Sequence, residues 1–324
     1  HEVVQGFPFT EFASNGIKSL LIANKLDAPY KIIFNAHLDV VPGNASQFTP
    51  LEKDGKIYGR GAYDMKAAAA VMTLVFRDVA KLVNYPFALQ LVTDEEIGGH
   101  NGTKYQFEKG VTGNFALAGE NTDFAVKNKA KGILWIKLSC RGKTTHGAYP
   151  WDGDNALQKV LDVVKKIEKQ YPNPSEKAWQ TTVNLARIET SNKTFNKVSD
   201  DATVFLDIRF ISEDEKAVLT FLETLSDKDT KIEIELHEPA MSVDLQNEYM
   251  QKLQTAIAKN CNKEASVMQG HGASDIRFYT NAGIPATEFG PRGGNHHAKD
   301  EWVDIQSLFD YYHILKEFLL SVEK

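Results

Sequence analysis

Three apolar, strand-like runs in this chain end on acidic residues, and that pattern restricts its fold more than any other feature. KIIFNAHLDVV (31–41) runs into His37 and Asp39, PFALQLVTDEE (86–96) into Glu95 and Glu96, and NFALAGE (114–120) into Glu120. Acids gathered at the ends of buried strands are unfavourable by themselves. At an effective dielectric of about 20, two carboxylates roughly 5 Å apart repel by about 3 kcal/mol. Either the acids are solvated at loop tips or cations hold them. Between the runs lie GRGAYDMKAAAAVMTLVFRDVAKL (59–82), a Gly-rich loop turning into a long Ala-rich helix, and GTKYQFEKG (102–110), a short helix closed by Gly110. Strands alternating with helices predict an α/β fold with a mixed sheet flanked by helices and with functional residues at the strand C-termini.

The organisation is read from Tyr30 onward, and around Lys131 the texture changes. ILWIKLSCRG (133–142), TTVNLARIE (181–189), ATVFLDIRF (202–210) and KIEIELHE (231–238) alternate as antiparallel strands do, and NALQKVLDVVKKIEKQY (155–171) has helical periodicity. The β-α-β-β order with a further helix predicts an inserted α+β, ferredoxin-like domain over 130–238. It interrupts a discontinuous domain made of 1–129 and 239–324. A chain of 324 residues suits two domains. After the insert, a helix at 248–261, the segment GIPATEFGP and a closing helix resume the first style.

Charge and cysteine content narrow the function classes. A net charge of −6 gives no electrostatic case for nucleic acid. No apolar run approaches the roughly 20 residues of a membrane span. Cys140 and Cys261, far apart, make no disulfide framework and fit a reducing, cytoplasmic setting. GGHNG (98–102) lacks the Lys-Ser/Thr ending of a phosphate loop. The chain begins at His1 rather than Met, which leaves open a longer natural N-terminus.

His37 and Asp39, two apart in an extended segment, share one face, which suits a metal-binding imidazole oriented by a carboxylate. Asp64 follows Gly59-Arg60-Gly61, and GGNHHAKDEW (293–302) supplies His296 and His297 in a second Gly-rich loop. Mixed imidazole and carboxylate donors favour zinc, with cobalt or manganese as alternatives. Three liganding carboxylates leave two divalent cations with one net positive charge, which a hydroxide neutralises, and a fourth carboxylate is left to handle protons. That is the arithmetic of a two-metal hydrolase. The residues alone leave choices open: Asp64 also suits a helix N-terminus, Asn121 or Asp123 competes with Glu120, and His296 competes with His297. His100, His237, His271 and His313 have no partner pattern and read as structural or solvent-facing.

HLDVVP (37–42), GRGAYDMK (59–66), TDEEIGG (93–99), GEN (119–121), THGAYP (145–150) and HAKDE (297–301) together resemble the M20 metallopeptidase family of dizinc deacylases and exopeptidases. The resemblance covers nearly the whole chain. It implies a dizinc-exopeptidase-like catalytic domain and an inserted lid and dimerisation domain. It implies that His37, Asp64 and Glu120 hold one metal and that Asp64, Glu96 and His297 hold the other. Glu95 would be the general base and Asp39 would orient His37. His146 would reach the partner's active site in a homodimer formed through the insert, and Asn196 and Arg209 would contact substrate. Within the family, HGAYPWDGDN, KNKAKG, GASDIRF and EFGP are most similar to succinyl-diaminopimelate desuccinylases. Lys131, however, lies in a stretch where those enzymes have arginine, and Ala273 where they have threonine. The implied reaction is hydrolysis of the amide bond of an N-acyl amino acid or short peptide with a free carboxylate, for which Arg209 and Arg292 are candidate anchors. Alternatives are an acetylornithine deacetylase-like enzyme or a dipeptidase or carboxypeptidase of the family. A non-catalytic dimeric ligand-binding homologue is a further alternative, against which the presence of Glu95 argues.

Overall fold

The computed structural model describes residues 2–26 and 28–323 and divides into two compact units. One comprises His1–Lys129, Ser242–Gln269 and Ser274–Lys324, the other Ala130–Met241 and Gly270–Ala273. The insert expected over 130–238 therefore ends three residues later and gains a short return. The Gly270 carbonyl accepts the Lys131 N–H at 3.1 Å, and the His271 ring lies edge-on to Trp179 with centroids 5.9 Å apart. Contacts so far apart in sequence leave no periodic trace.

In the first unit, strand Ile32–His37 is buried at every residue, as a parallel strand covered on both faces must be. It pairs in parallel with Phe87–Val92 on one side and with Ala116–Ala118 on the other. Ala286–Glu288 extends the parallel set. The first three of these strands are the acid-ended runs, so His37, the 93–99 turn and Glu120 leave the sheet along one edge. Helix Ala67–Val79 packs with Ala68, Ala69, Val71, Met72, Val75, Phe76 and Val79 buried, an i, i+3, i+4 stripe. Its alanines permit close approach: a Cβ at Gly119 would fall 3.1 Å from the Ala68 Cβ.

Two features were not anticipated. Phe9–Ser14 and Ile17–Ala23 form an antiparallel hairpin that pairs with Phe87–Val92, so the lead ahead of Tyr30 adds two strands to the sheet. The turn is Asn15-Gly16, both at positive φ (47° and 82°), which is the strongest short hairpin signal in a sequence. The flanking FTEFAS alternates too weakly to have announced a strand. Second, Leu51–Lys53, Lys56–Tyr58, Trp302–Asp304 and Gly293–Gly294 make a small separate sheet. Its register sets Trp302 against Tyr58 and so lays the 59–66 loop beside the 295–301 loop.

The second unit is the expected ferredoxin-like arrangement. Its sheet runs Thr182–Glu189, Asp201–Phe210, Gly132–Arg141, Thr230–Glu238, antiparallel throughout. Alternate residues Leu134, Ile136 and Leu138 meet Val204, Leu206 and Ile208 and the apolar stripe Val160, Val164 and Ile167 of helix Ala156–Gln170. Asn155 caps that helix by accepting the Leu157 N–H at 3.0 Å. No helix of the described residues is long and apolar enough to cross a membrane.

Candidate metal centre

His37 closes its strand with a ring that is 1% exposed. Nδ1 lies 3.5 Å from an Asp39 carboxylate oxygen and 3.1 Å from the Asp39 carbonyl oxygen. Nε2 points the other way, 3.0 Å from Asp64 Oδ1 and 3.9 Å from Glu120 Oε1. The expected face-sharing of His37 and Asp39 is therefore present, and Asp39 also accepts the Glu96 N–H at 3.0 Å. One carboxylate thus ties the ends of two neighbouring strands.

Asp64 sits in the loop that enters the Ala-rich helix. Gly61, at φ 80°, makes the turn, and a Cβ there would strike Val40 Cγ1 at 2.6 Å. The second Asp64 oxygen lies 2.5 Å from His296 Nε2 and 3.2 Å from His297 Nε2. His297 Nε2 is in turn 3.3 Å from Glu96 Oε2. His37, Asp64 and Glu120 each offer one ligand atom within 4.8 Å of one another, as do Asp64, His296 and His297.

The acidic triplet at 94–96 divides its work. Asp94 is buried and folds the following loop back by accepting the Asn101 and Gly102 N–H groups at 2.8 and 3.0 Å. Glu95 and Glu96 open a single 3-10 turn, with Glu96 committed to His297 and to the Val41 N–H at 3.2 Å. Asp275 supports the loop from behind, accepting the Thr103 hydroxyl at 2.6 Å. Gly99 passes so close that a Cβ would lie 1.8 Å from Asp275 Oδ1, at a φ of 65° that favours glycine anyway.

The electrostatics are those of a cluster with surplus negative charge. Burial opposes a charge on His37, yet hydrogen bonds to Asp39 and Asp64 and the charges of Glu120 and Glu95 push it up to about 12. Burial raises Glu120 to about 8, with His37 pulling down and Asp64 and Glu288 pushing up. Burial, then the charges of Glu120 and Asp275, raise Glu95 well above the carboxylate range. Divalent cations would relieve all three. The donors fit two of them, with Asp64 common to both sets.

These shifts predict an unusual pH response of the metal-free protein. His37 and Glu120 bind protons more tightly folded than unfolded. Their contributions to stability are full at low pH and fade as pH rises, from 4.5 towards about 8 for Glu120 and from 6.5 towards about 12 for His37. Chelator-treated protein should therefore melt progressively lower between about pH 5 and about pH 8. Added zinc should restore more at the upper end, because metal binding needs deprotonated ligands. Calorimetric scans across that window check it, and a melting temperature rising with pH in the metal-free protein would mean that the cluster is effectively solvated.

The other sequence-predicted residues are not in these two donor sets. His146 and Asn196 are exposed neighbours in the second unit, where the Gly147 N–H donates to the Asn196 carbonyl at 2.7 Å. Arg209, in the same unit, is held by Asp207 through two hydrogen bonds of 2.8 and 3.1 Å. It lines a cavity of about 350 Å³ with Lys131, Lys177, Thr182 and His271. Lys131 is 2% exposed, and burial followed by the Arg209 charge lowers its pKa. Arg292 lies over the Phe124 ring at 4.9 Å and 3.8 Å from Asp123. The sequence assigns no role to Arg60, and Glu301 stands in it only as the last residue of HAKDE. The two are joined by a buried ion pair of 2.6 Å, for which the arginine inside G-R-G was the available signal.

Comparison with known proteins bears on the family and the fold. The model of Peptidase family M20/M25/M40 matches residues 33–321. A succinyl-diaminopimelate desuccinylase of Nitratiruptor sp. is 27% identical over 347 residues, covering 99% of this chain and 92% of that protein. The aminopeptidase PepT of Bacillus cereus superposes with a TM-score of 0.80 at 20% identity, over 98% of this chain and 89% of that one. A dinuclear metal-binding peptidase of the M20 family from Bacillus subtilis gives 0.74 at 12% identity, over 98% and 89%. At these identities the two structures speak for the fold alone.

Proposed function

The chain belongs to peptidase family M20, and on that premise we propose that it is a two-metal amidohydrolase cleaving the amide bond of N-acyl amino acids, with N-succinyl-diaminopimelate the first candidate substrate. One observation carries the reading. Asp64 faces His37 at 3.0 Å through one oxygen and His297 at 3.2 Å through the other, with Glu120 and Glu96 flanking the two sides and Glu95 adjacent. The 27% identity to a desuccinylase over nearly the full chain supports the substrate.

His37, Asp64 and Glu120 would hold one ion and Asp64, Glu96 and His297 the other, zinc first, with cobalt or manganese as alternatives. The ions would polarise the scissile carbonyl and acidify a water. Glu95, the carboxylate left uncommitted, takes a proton from the attacking water and delivers it to the leaving amine nitrogen. Asp39 holds the His37 ring by its Nδ1 side, keeping Nε2 directed at Asp64 and Glu120. His146 Nδ1 accepts the Ala148 N–H at 3.1 Å, which places the ring proton on Nε2, ready to donate to a developing oxyanion. We assign it that role in the partner's site of a homodimer formed through the insert, with Asn196 beside it contacting substrate. The free thiols of Cys140 and Cys261 support a cytoplasmic setting.

Lys131 and Arg209 are assigned to the substrate carboxylate. A charge-assisted hydrogen bond contributes about 1.5–3 kcal/mol, so Lys131→Met should raise KM for the succinyl substrate roughly 10- to 100-fold with kcat little changed. A KM equal to that of the parent would remove Lys131 from the acyl site.

The zinc- or cobalt-loaded protein should be offered N-succinyl-diaminopimelate, N-acetyl-ornithine, other N-acetyl amino acids and dipeptides. Turnover of the succinyl compound is the expected result. Turnover of acetylated substrates or dipeptides alone would keep the chemistry and move the enzyme to another branch. Silence across the panel with two ions bound and a dimer present would favour a binding protein.

A further inference from the structure

We propose that Arg60 and Glu301 form a buried positioning clamp that holds Asp64 and His297 in register and so sets the affinity of the centre for its second ion. The inference rests on the two-metal reading, with the second ion that of Asp64, Glu96 and His297.

Glu301 is 1% exposed and spends both carboxylate oxygens inside the protein. Oε1 accepts the N–H groups of Tyr63 and Asp64 at 3.0 and 3.1 Å. Oε2 takes one nitrogen of the Arg60 guanidinium at 2.6 Å. Another nitrogen of that guanidinium donates to the His297 carbonyl at 3.0 Å. The circuit closes through the backbone, where the Gly59 N–H donates to the Glu301 carbonyl at 3.0 Å. Asp64 and His297 are thus each gripped at their own main chain by one ion pair, although they sit on different loops.

Two physical points favour positioning over a merely structural tie. His297 has φ 59°, a conformation that a non-glycine residue keeps only where its surroundings impose it, and the Arg60 hydrogen bond falls on that residue's own carbonyl. Second, the small sheet already brings the two loops together through Trp302 and Tyr58. The clamp is therefore not needed to pair the loops. What it adds is the orientation of the Asp64 and His297 peptides, and outer partners of this kind typically carry 10- to 100-fold in metal affinity.

Position and charge make different predictions. Glu301→Gln keeps an oxygen for the two N–H groups but strands the Arg60 charge near the ions. Arg60→Met strands the carboxylate instead. If charge alone mattered, the first would weaken binding and the second would tighten it. A clamp predicts that both weaken the second ion, by about 10- to 100-fold in Kd, and weaken the first ion less, because only Asp64 of its ligands is held by the clamp. Arg60→Lys, which keeps charge but loses the two-pronged geometry, should recover only part of the loss.

The experiment is calorimetric titration of chelator-stripped full-length protein with zinc, for the parent and the three variants. Near-ultraviolet circular dichroism checks folding, and the visible spectrum of the cobalt-loaded forms reports ligand geometry. Second-ion affinities equal to the parent's in folded Glu301→Gln and Arg60→Met, or shifts of opposite sign, would overturn the clamp. Should both of these fail to fold, Arg60→Lys decides: a roughly tenfold weaker second ion sustains the proposal, and an unchanged one overturns it. A parent that takes up no second ion would count against the two-metal reading itself.

Discussion

Glu95→Gln should lower kcat by about 10⁴-fold, the upper end of what a positioned proton-transfer group contributes, while both ions stay bound. The substitution is nearly isosteric, so the 3-10 turn that also carries Glu96 has no steric reason to move. Glu96 is occupied by His297 and the Val41 N–H, and Asp94 by the amides of the following loop. Of the three acids in TDEE, Glu95 alone is given no part in holding metal or chain. Burial, and after it the charges of Glu120 and Asp275, make its proton hard to remove. That is a liability for structure and an asset for a group that must accept a proton and then return one. The measurement is single-turnover hydrolysis alongside metal analysis. Loss of metal in proportion to loss of activity would show that Glu95 is a ligand and not a base.

Asp64→Asn should do something different, releasing both ions together. Asp64 is common to the two donor sets, and its removal leaves His37 with Glu120 on one side and His297 with Glu96 on the other. Bound ions supply several kcal/mol of transition-state stabilisation. At about 1.4 kcal/mol per factor of ten, kcat/KM should fall at least about 10³-fold. Metal analysis after dialysis should find less than one ion per chain. Histidine variants sharpen the result. His297→Ala should lose the second ion, because that ring faces both Asp64 and Glu96. His296→Ala should keep two ions, although its ring sits nearer Asp64 at 2.5 Å. The reverse pattern would exchange the roles of the two histidines. Retention of both ions in Asp64→Asn would end the shared-ligand assignment.

Much of the centre was legible because its signals are local. His37 and Asp39 share a face by the two-residue period of an extended chain, and the structure keeps them so. Glu95, Glu96 and Glu120 stand just beyond apolar runs, and a run of that length and texture is a parallel strand whether or not its neighbours are known. The insert announced itself by alternation, and its ferredoxin-like order followed from counting strands and helices. The hairpin at 9–23 carries its signal in Asn15-Gly16 alone, because FTEFAS offers so little apolar contrast.

What the sequence by itself determined is which residues stand at the strand ends and which chemistry they can do, since both depend on residue type and short-range period. What only the tertiary structure decided are relations between distant segments. Among them are the pairing of His297, not His296, with Glu96, the return of 270–273 to the insert, and Arg60 meeting Glu301 across 241 residues. The physical reason is the same in each case. A contact closed over a long loop is chosen by packing and charge in three dimensions, and it imposes no period on the chain between its ends.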